Sequence, residues 1–248
     1  MHQKLSVANI RQTQQPGGFW LLTLELEEPT SVPGVVFYFE DHAEISLTLF
    51  QTQSNKLQLL SMKALPDEWL ASTQTALLVS EEPTITLPIE TRSDQATLLL
   101  GSDLGIAPLL MQARLKIRTQ DEKPYLALLH ATAGFPFVIK PAQYMLPELP
   151  PEAIGSCPLL EDWNIPNRLA SDLGLPGCID GGLEELFKIW LESEKRLREA
   201  TEESMPHKIT HLNWQIIAFL TQEQLSACKA LCQPYDWVSF NGVTVASV

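Results

Sequence analysis

The chain has 248 residues, 45% of them hydrophobic, with a formal net charge of −13. Its pI is near 4.8 and its mean hydropathy is −0.01. These values describe a globular protein of one large or two small domains. They exclude a nucleic-acid partner, which needs clustered Lys and Arg to neutralise phosphates.

The same acidity is poor for docking on an anionic membrane surface. Met1 to Arg11 is polar and lacks the apolar core of a signal peptide, and no apolar run approaches spanning length. Four cysteines, Cys157, Cys178, Cys228 and Cys232, form no disulfide-rich pattern. A cytoplasmic protein with no membrane partner is expected. The oligomeric state is left open.

Residues 5 to 92 read as all-β. Leu5 to Ile10 is a first strand, and Pro16-Gly17-Gly18 a turn. Phe19 to Glu27 alternates, with Trp20, Leu22, Leu24 and Leu26 on one face. After a turn at Pro29 to Gly34, Val35 to Phe39, Ile45 to Gln51 and Lys56 to Met62 continue the series. Asp67 to Ser72 reads as a brief helix, and Ala76 to Ser80 and Thr84 to Leu87 as two more strands. Short strands spaced by turns predict a small antiparallel barrel or sandwich.

Polar residues Glu90 to Asp94 mark a boundary. It divides a β-barrel domain at 1–92 from an α/β domain at 93–248. Thr97 to Leu100 is a buried strand, followed by a loop with Gly101 and Gly105 and a helix from Ala107 to Thr119. Pro108 suits the first turn of that helix. A second strand, Tyr125 to His130, completes a βαβ unit. Residues 135–182 carry eight prolines and read as an ordered, irregular excursion on the sheet edge, with short helices at Leu160 to Trp163 and Pro166 to Ser171. Leu183 to Glu202 is an amphipathic helix, Gln215 to Phe219 a strand and Gln222 to Cys232 a helix. Asn241-Gly242 predicts a closing hairpin.

The free N–H groups at the start of the helix after Gly105 would attract a phosphate. The alternative is a tight turn whose glycines only permit close packing. Cys228 and Cys232 share a helical face and read as buried structural thiols. The histidines show no metal spacing, so no metal site is expected. His130 ends a strand at the carboxyl edge of the sheet, where α/β proteins place ligands, or is an ordinary strand-end residue. No catalytic residue stands out.

Gly105-Ile106-Ala107-Pro108-Leu109-Leu110 resembles the nucleotide loop of the ferredoxin reductase-like flavoproteins, a family that includes the electron-transfer subunit of dihydroorotate dehydrogenase. The resemblance implies an N-terminal flavin barrel followed by a Rossmann-like NAD(P)-binding α/β domain. It implies FAD or FMN and NAD or NADP as cofactors, and an electron-acceptor protein as partner. It places Gly101, Ser102, Asp103, Gly105, Ile106, Ala107 and Pro108 at the nucleotide. Phe50 becomes a ring that stacks on flavin or a barrel-core aromatic, and Phe219 lies where nicotinamide would approach.

The chain departs from the family at several points. Ser102, Asp103 and Leu104 replace Gly-Gly-Thr, which puts a carboxylate near a pyrophosphate. Ser46 to Ser54 lacks the flavin-binding Arg and Tyr, and Ala218-Phe219-Leu220 replaces Cys-Gly-Pro. The tail after Gln233 has no cysteine, so no iron–sulfur cluster is expected. Two functions follow. One is a reductase passing electrons between NAD(P)H, a flavin and an acceptor protein. The other is a non-catalytic descendant acting as a binding or assembly module.

Overall fold

The computed structural model describes residues 4–29, 34–70, 76–80, 89–92, 94–119, 123–146, 149–204 and 212–245. The strand expected at Thr84 to Leu87 lies outside them, as does most of the turn at 29–34.

Six strands close into an antiparallel barrel: β1 (Lys4–Gln14), β2 (Trp20–Leu26), β3 (Val36–Phe39), β4 (His42–Gln53), β5 (Lys56–Ser61) and β6 (Ala76–Ser80). Their order around the barrel is β1-β2-β5-β4-β3-β6. The period-2 pattern of β2 sends Leu22, Leu24 and Leu26 inward, where they meet Phe37, Phe39, Leu47, Leu49, Leu57 and Leu59. A short helix, α1 (Asp67–Leu70), lies between β5 and β6.

The described residues that follow hold a parallel sheet of β7 (Gln95–Ser102), β8 (Tyr125–Ala131), β11 (Asn167–Ser171), β12 (Ile179–Asp180), β13 (Asn213–Leu220) and β14 (Val238–Thr244). Its strand order is β12-β11-β8-β7-β13-β14. Helix α2 (Ile106–Thr119) covers one face through Leu109, Leu110 and Ala113, which meet Leu99, Ala127, Leu129 and Ile217. Helices α4 (Leu183–Ser204) and α5 (Gln222–Cys232) cover the other, where Phe187, Trp190 and Leu225 meet Leu98, Leu100 and Ile216. A sheet buried on both faces needs unbroken apolar strands, which is why ATLLL and LALL do not alternate.

Two sequence expectations are corrected. Pro166 to Ser171 is not a helix: Asn167–Ser171 is β11, a full member of the sheet paired with Ala127–Ala131 of β8. The polar segment NRLAS gives no local strand signal, and the ladder to β8 decides its conformation. The Asn241-Gly242 hairpin is also absent. β14 runs straight through both residues, parallel to β13 from Val238 to Thr244. Gly242 serves a different need there, since a Cβ on it would come 2.6 Å from the Leu225 side chain of α5.

The described residues of the rest of the proline-rich excursion are ordered. They hold a two-residue pairing of β9 (Lys140–Pro141) with β10 (Gly155–Ser156), and helix α3 (Pro158–Asp162). Asn167 ties it to the sheet, accepting the Cys157 N–H at 2.7 Å and donating to Glu161 Oε1 at 3.1 Å. No described helix is long and apolar enough to cross a membrane.

Candidate functional site

Gly101 and Ser102 end β7, Asp103–Gly105 forms a 3-10 turn, and Ile106, Ala107 and Pro108 open α2. All of these residues are buried. Asp103 adopts φ 47°, a left-handed conformation that Asp tolerates better than most residues. Gly105 is pressed on β13: a Cβ there would lie 2.0 Å from the Phe219 carbonyl oxygen. Phe219 itself is fully buried, in the core on the α2 face of the sheet.

A polar network fills the carboxyl edge of the sheet above this loop. Asp103 Oδ1 accepts the Thr132 N–H at 2.9 Å and the Thr132 hydroxyl at 3.1 Å. Ser102 Oγ lies 3.4 Å from Asp103 Oδ2 and 2.8 Å from His130 Nδ1. His130 Nε2 lies 3.0 Å from Asp172 Oδ1. An ionised carboxylate can only accept, so His130 Nε2 donates to Asp172. Gln224 donates to Ser102 Oγ at 3.2 Å and belongs to the capping box that starts α5 at Thr221. Ser102, His130 and Asp172 are the residue types of a nucleophile relay. Ser102 is only 3% exposed, however, so it is closed to an acyl substrate, and the chain of bonds is structural.

The barrel packs directly on the start of α2. Thr48 donates its hydroxyl to the Leu104 carbonyl at 2.7 Å, and Phe19, Leu60, Leu104 and Ala107 form one apolar cluster. Phe50 of β4 is half-buried at the same junction. The Arg114 guanidinium stands 5.5 Å from its ring centroid and 5.4 Å from that of Trp163, and donates to Gln51 Oε1 at 2.6 Å.

Two apolar spaces open beside this junction. The smaller, about 180 Å³, is lined by residues that include Phe50, Leu60, Ile106, Leu110 and Phe137. The larger, about 590 Å³, runs between the Pro16-Gly17 turn of the barrel and the segment that follows β8. Phe135, Phe137, Ile139, Lys140, Ile154 and Leu175 are among its walls. Phe135 and Phe137 stack with centroids 5.1 Å apart. Phe137 lines both spaces. The larger lies past the carboxyl ends of β8 and β11, to one side of the point between β7 and β13 where the strand order reverses. Its volume falls in the range of small-molecule sites, roughly 300–1,000 Å³, whereas the smaller falls below it.

No family model and no curated relative matches this sequence. Solved structures do match in shape. The cytochrome P450 reductase GcoB of Amycolatopsis superposes with a TM-score of 0.57 at 15% identity, over 99% of this chain and 71% of its own. Phthalate dioxygenase reductase gives a TM-score of 0.53 at 11% identity, over 97% of this chain and 68% of its own. The chain has the ferredoxin reductase fold. A ferredoxin NADP+ reductase from Neisseria gonorrhoeae with bound FAD and NADP shares that fold over 97% of this chain and 98% of its own, at 9% identity and a TM-score of 0.52. At these identities the likeness is one of architecture.

Within the ferredoxin reductase fold, the loop at 101–108, Phe50 and Phe219 meet at one junction of barrel and sheet. Thr132, Asp172 and Gln224 join the loop's polar network, Phe137 lines the smaller space with Phe50 and Ile106, and Lys140 lines the larger one, all without a signal in the sequence. The four cysteines are free and buried. Burial raises Cys157 to about 12 and Cys178 to about 11, which keeps both as unreactive thiols. Among the described residues no three of His, Cys, Asp and Glu converge as metal ligands would.

Proposed function

We propose that this chain is an electron-transfer protein of the ferredoxin reductase class that holds a flavin ring in the groove between barrel and sheet. One observation carries the reading: an apolar groove of about 590 Å³ lies at the carboxyl edge of the sheet against the barrel. Phe135 and Phe137 would pack against the ring. Lys140, a cation in the groove wall, would face the flavin phosphate in place of the absent barrel arginine. A bound flavin would supply two-electron acceptance and one-electron release. An acceptor protein would take those electrons. For NAD(P)H to donate at the Gly101 to Pro108 loop, as the family resemblance implies, its diphosphate would have to lie against the Asp103 carboxylate.

A second reading is favoured by the Asp103 carboxylate inside that loop. It makes the chain a non-catalytic descendant of the fold, acting as a binding or assembly module. Purified full-length protein separates the two. Yellow protein, or colourless protein that takes up FMN or FAD with a dissociation constant in the micromolar range and loses it in Phe137→Ala, supports the flavin reading. Colourless protein that takes up neither supports the binding module.

A further inference from the structure

We infer that the loop after β7 carries its own anion and takes no phosphate, because a nucleotide diphosphate brought to the start of α2 would meet the buried Asp103 carboxylate. The inference narrows the electron-transfer reading by removing NAD(P)H from this loop, and it stands on the loop's geometry alone.

A strand that turns through glycine into a helix at the carboxyl edge of a parallel sheet is a general anion seat. Here α2 is a full helix of 14 residues, and Asp103 opens the 3-10 turn that leads into it. The carboxylate is 7% exposed, and its Oδ1 already receives two donors, the amide and hydroxyl of Thr132. A diphosphate at this loop would bring like charge against a buried carboxylate, with little water between to screen it.

The neighbouring groups are committed as well. The Ser102 hydroxyl lies on His130 Nδ1, and His130 Nε2 lies on Asp172. The Gln224 amide is directed at Ser102. Asp103 also holds φ 47°, the backbone region that glycine adopts without strain. Replacing it with glycine therefore removes the charge and leaves the turn's backbone intact.

The test is titration calorimetry of the full chain with NADH and with NADPH, on wild type, Asp103→Gly and Asp103→Asn. The asparagine variant keeps an acceptor for Thr132 and loses only the charge. Wild type is expected to show no saturable binding up to millimolar nucleotide. At least one folded variant is expected to bind at least about 30-fold more tightly than the wild-type limit. Circular dichroism establishes folding, and the near-isosteric asparagine variant carries the test if the glycine variant does not fold. Submillimolar binding by wild type overturns the inference. So does a folded Asp103→Asn protein, and a folded Asp103→Gly protein where one is obtained, with no gain for either nucleotide. Flavin uptake is scored separately by visible absorbance. A colourless wild type that ignores both flavins overturns the groove reading and leaves this one standing.

Discussion

Replacing Gly105 by alanine measures how firmly the start of α2 is clamped to β13. The added Cβ would lie 2.0 Å from the Phe219 carbonyl oxygen and 2.8 Å from its carbonyl carbon, and both are backbone atoms. A flexible side chain could swing away, but this strand cannot. β13 is held by β7 on one side, through Phe219 opposite Gly101, and by β14 on the other. Relieving the contact requires a shift of more than about 1 Å in packed backbone, since carbon–oxygen contacts normally lie near 3.3–3.6 Å. Overpacking of this kind costs about 1–3 kcal/mol, and the upper end applies because no side chain can yield. At roughly 2–4 °C per kcal/mol for a chain of this size, the melting temperature should fall by roughly 6–12 °C. Thermal and urea unfolding followed by circular dichroism give the value. Gly18→Ala is the control: nothing lies within 4 Å of its Cβ position, although φ is +82°, so its cost is the left-handed backbone penalty of about 1–2 kcal/mol. A Gly105→Ala protein within about 0.5 kcal/mol of wild type would refute the clamp.

Arg114→Met keeps a long stem but removes the charge that faces Phe50, Trp163 and Gln51. It should lower stability by about 1–2 kcal/mol, read as a lower urea midpoint at unchanged slope; an unchanged midpoint would show that the contacts carry no weight. The cysteines make the fold alkali-sensitive. Burial holds Cys157 at about 12 in the folded chain, so above pH 9 the unfolded chain loses this proton first and binds fewer protons than the folded one. The thiol's contribution is complete below pH 9 and declines as pH rises toward 12, at about 1.4 kcal/mol per pH unit. Urea unfolding at pH 8.5, 9.5 and 10.5 should show the decline, with a shallower slope in Cys157→Ala. Equal slopes in the two proteins would contradict it.

The parts legible in the sequence were those fixed by local chemistry. The apolar run into β7 and the Gly105-to-Pro108 junction mark a buried strand turning into a helix, and that is what they form. The barrel strands declare themselves by alternation. β11 does not, because Asn167, Arg168 and Ser171 are polar yet buried, with Asn167 bonded inside the excursion. Asn241-Gly242 carries a hairpin signal that the pairing of β14 with β13 overrides. The site divides the same way. The loop at 101–108 is contiguous and could be read directly. Thr132 and Asp172 follow β8 and β11, Gln224 lies in the first turn of α5, and the three converge only through the order of the strands. Phe137 and Lys140 sit in a proline-rich stretch with no periodicity to mark which side chains face a groove.

The strand order also bears on how the molecule assembles. β7 has one partner close by in sequence, β8, and another, β13, far along the chain. Closure across such a long intervening segment is slow. The clamp of Gly105 under the Phe219 carbonyl can therefore form only once the long-range pairing of β7 with β13 is made.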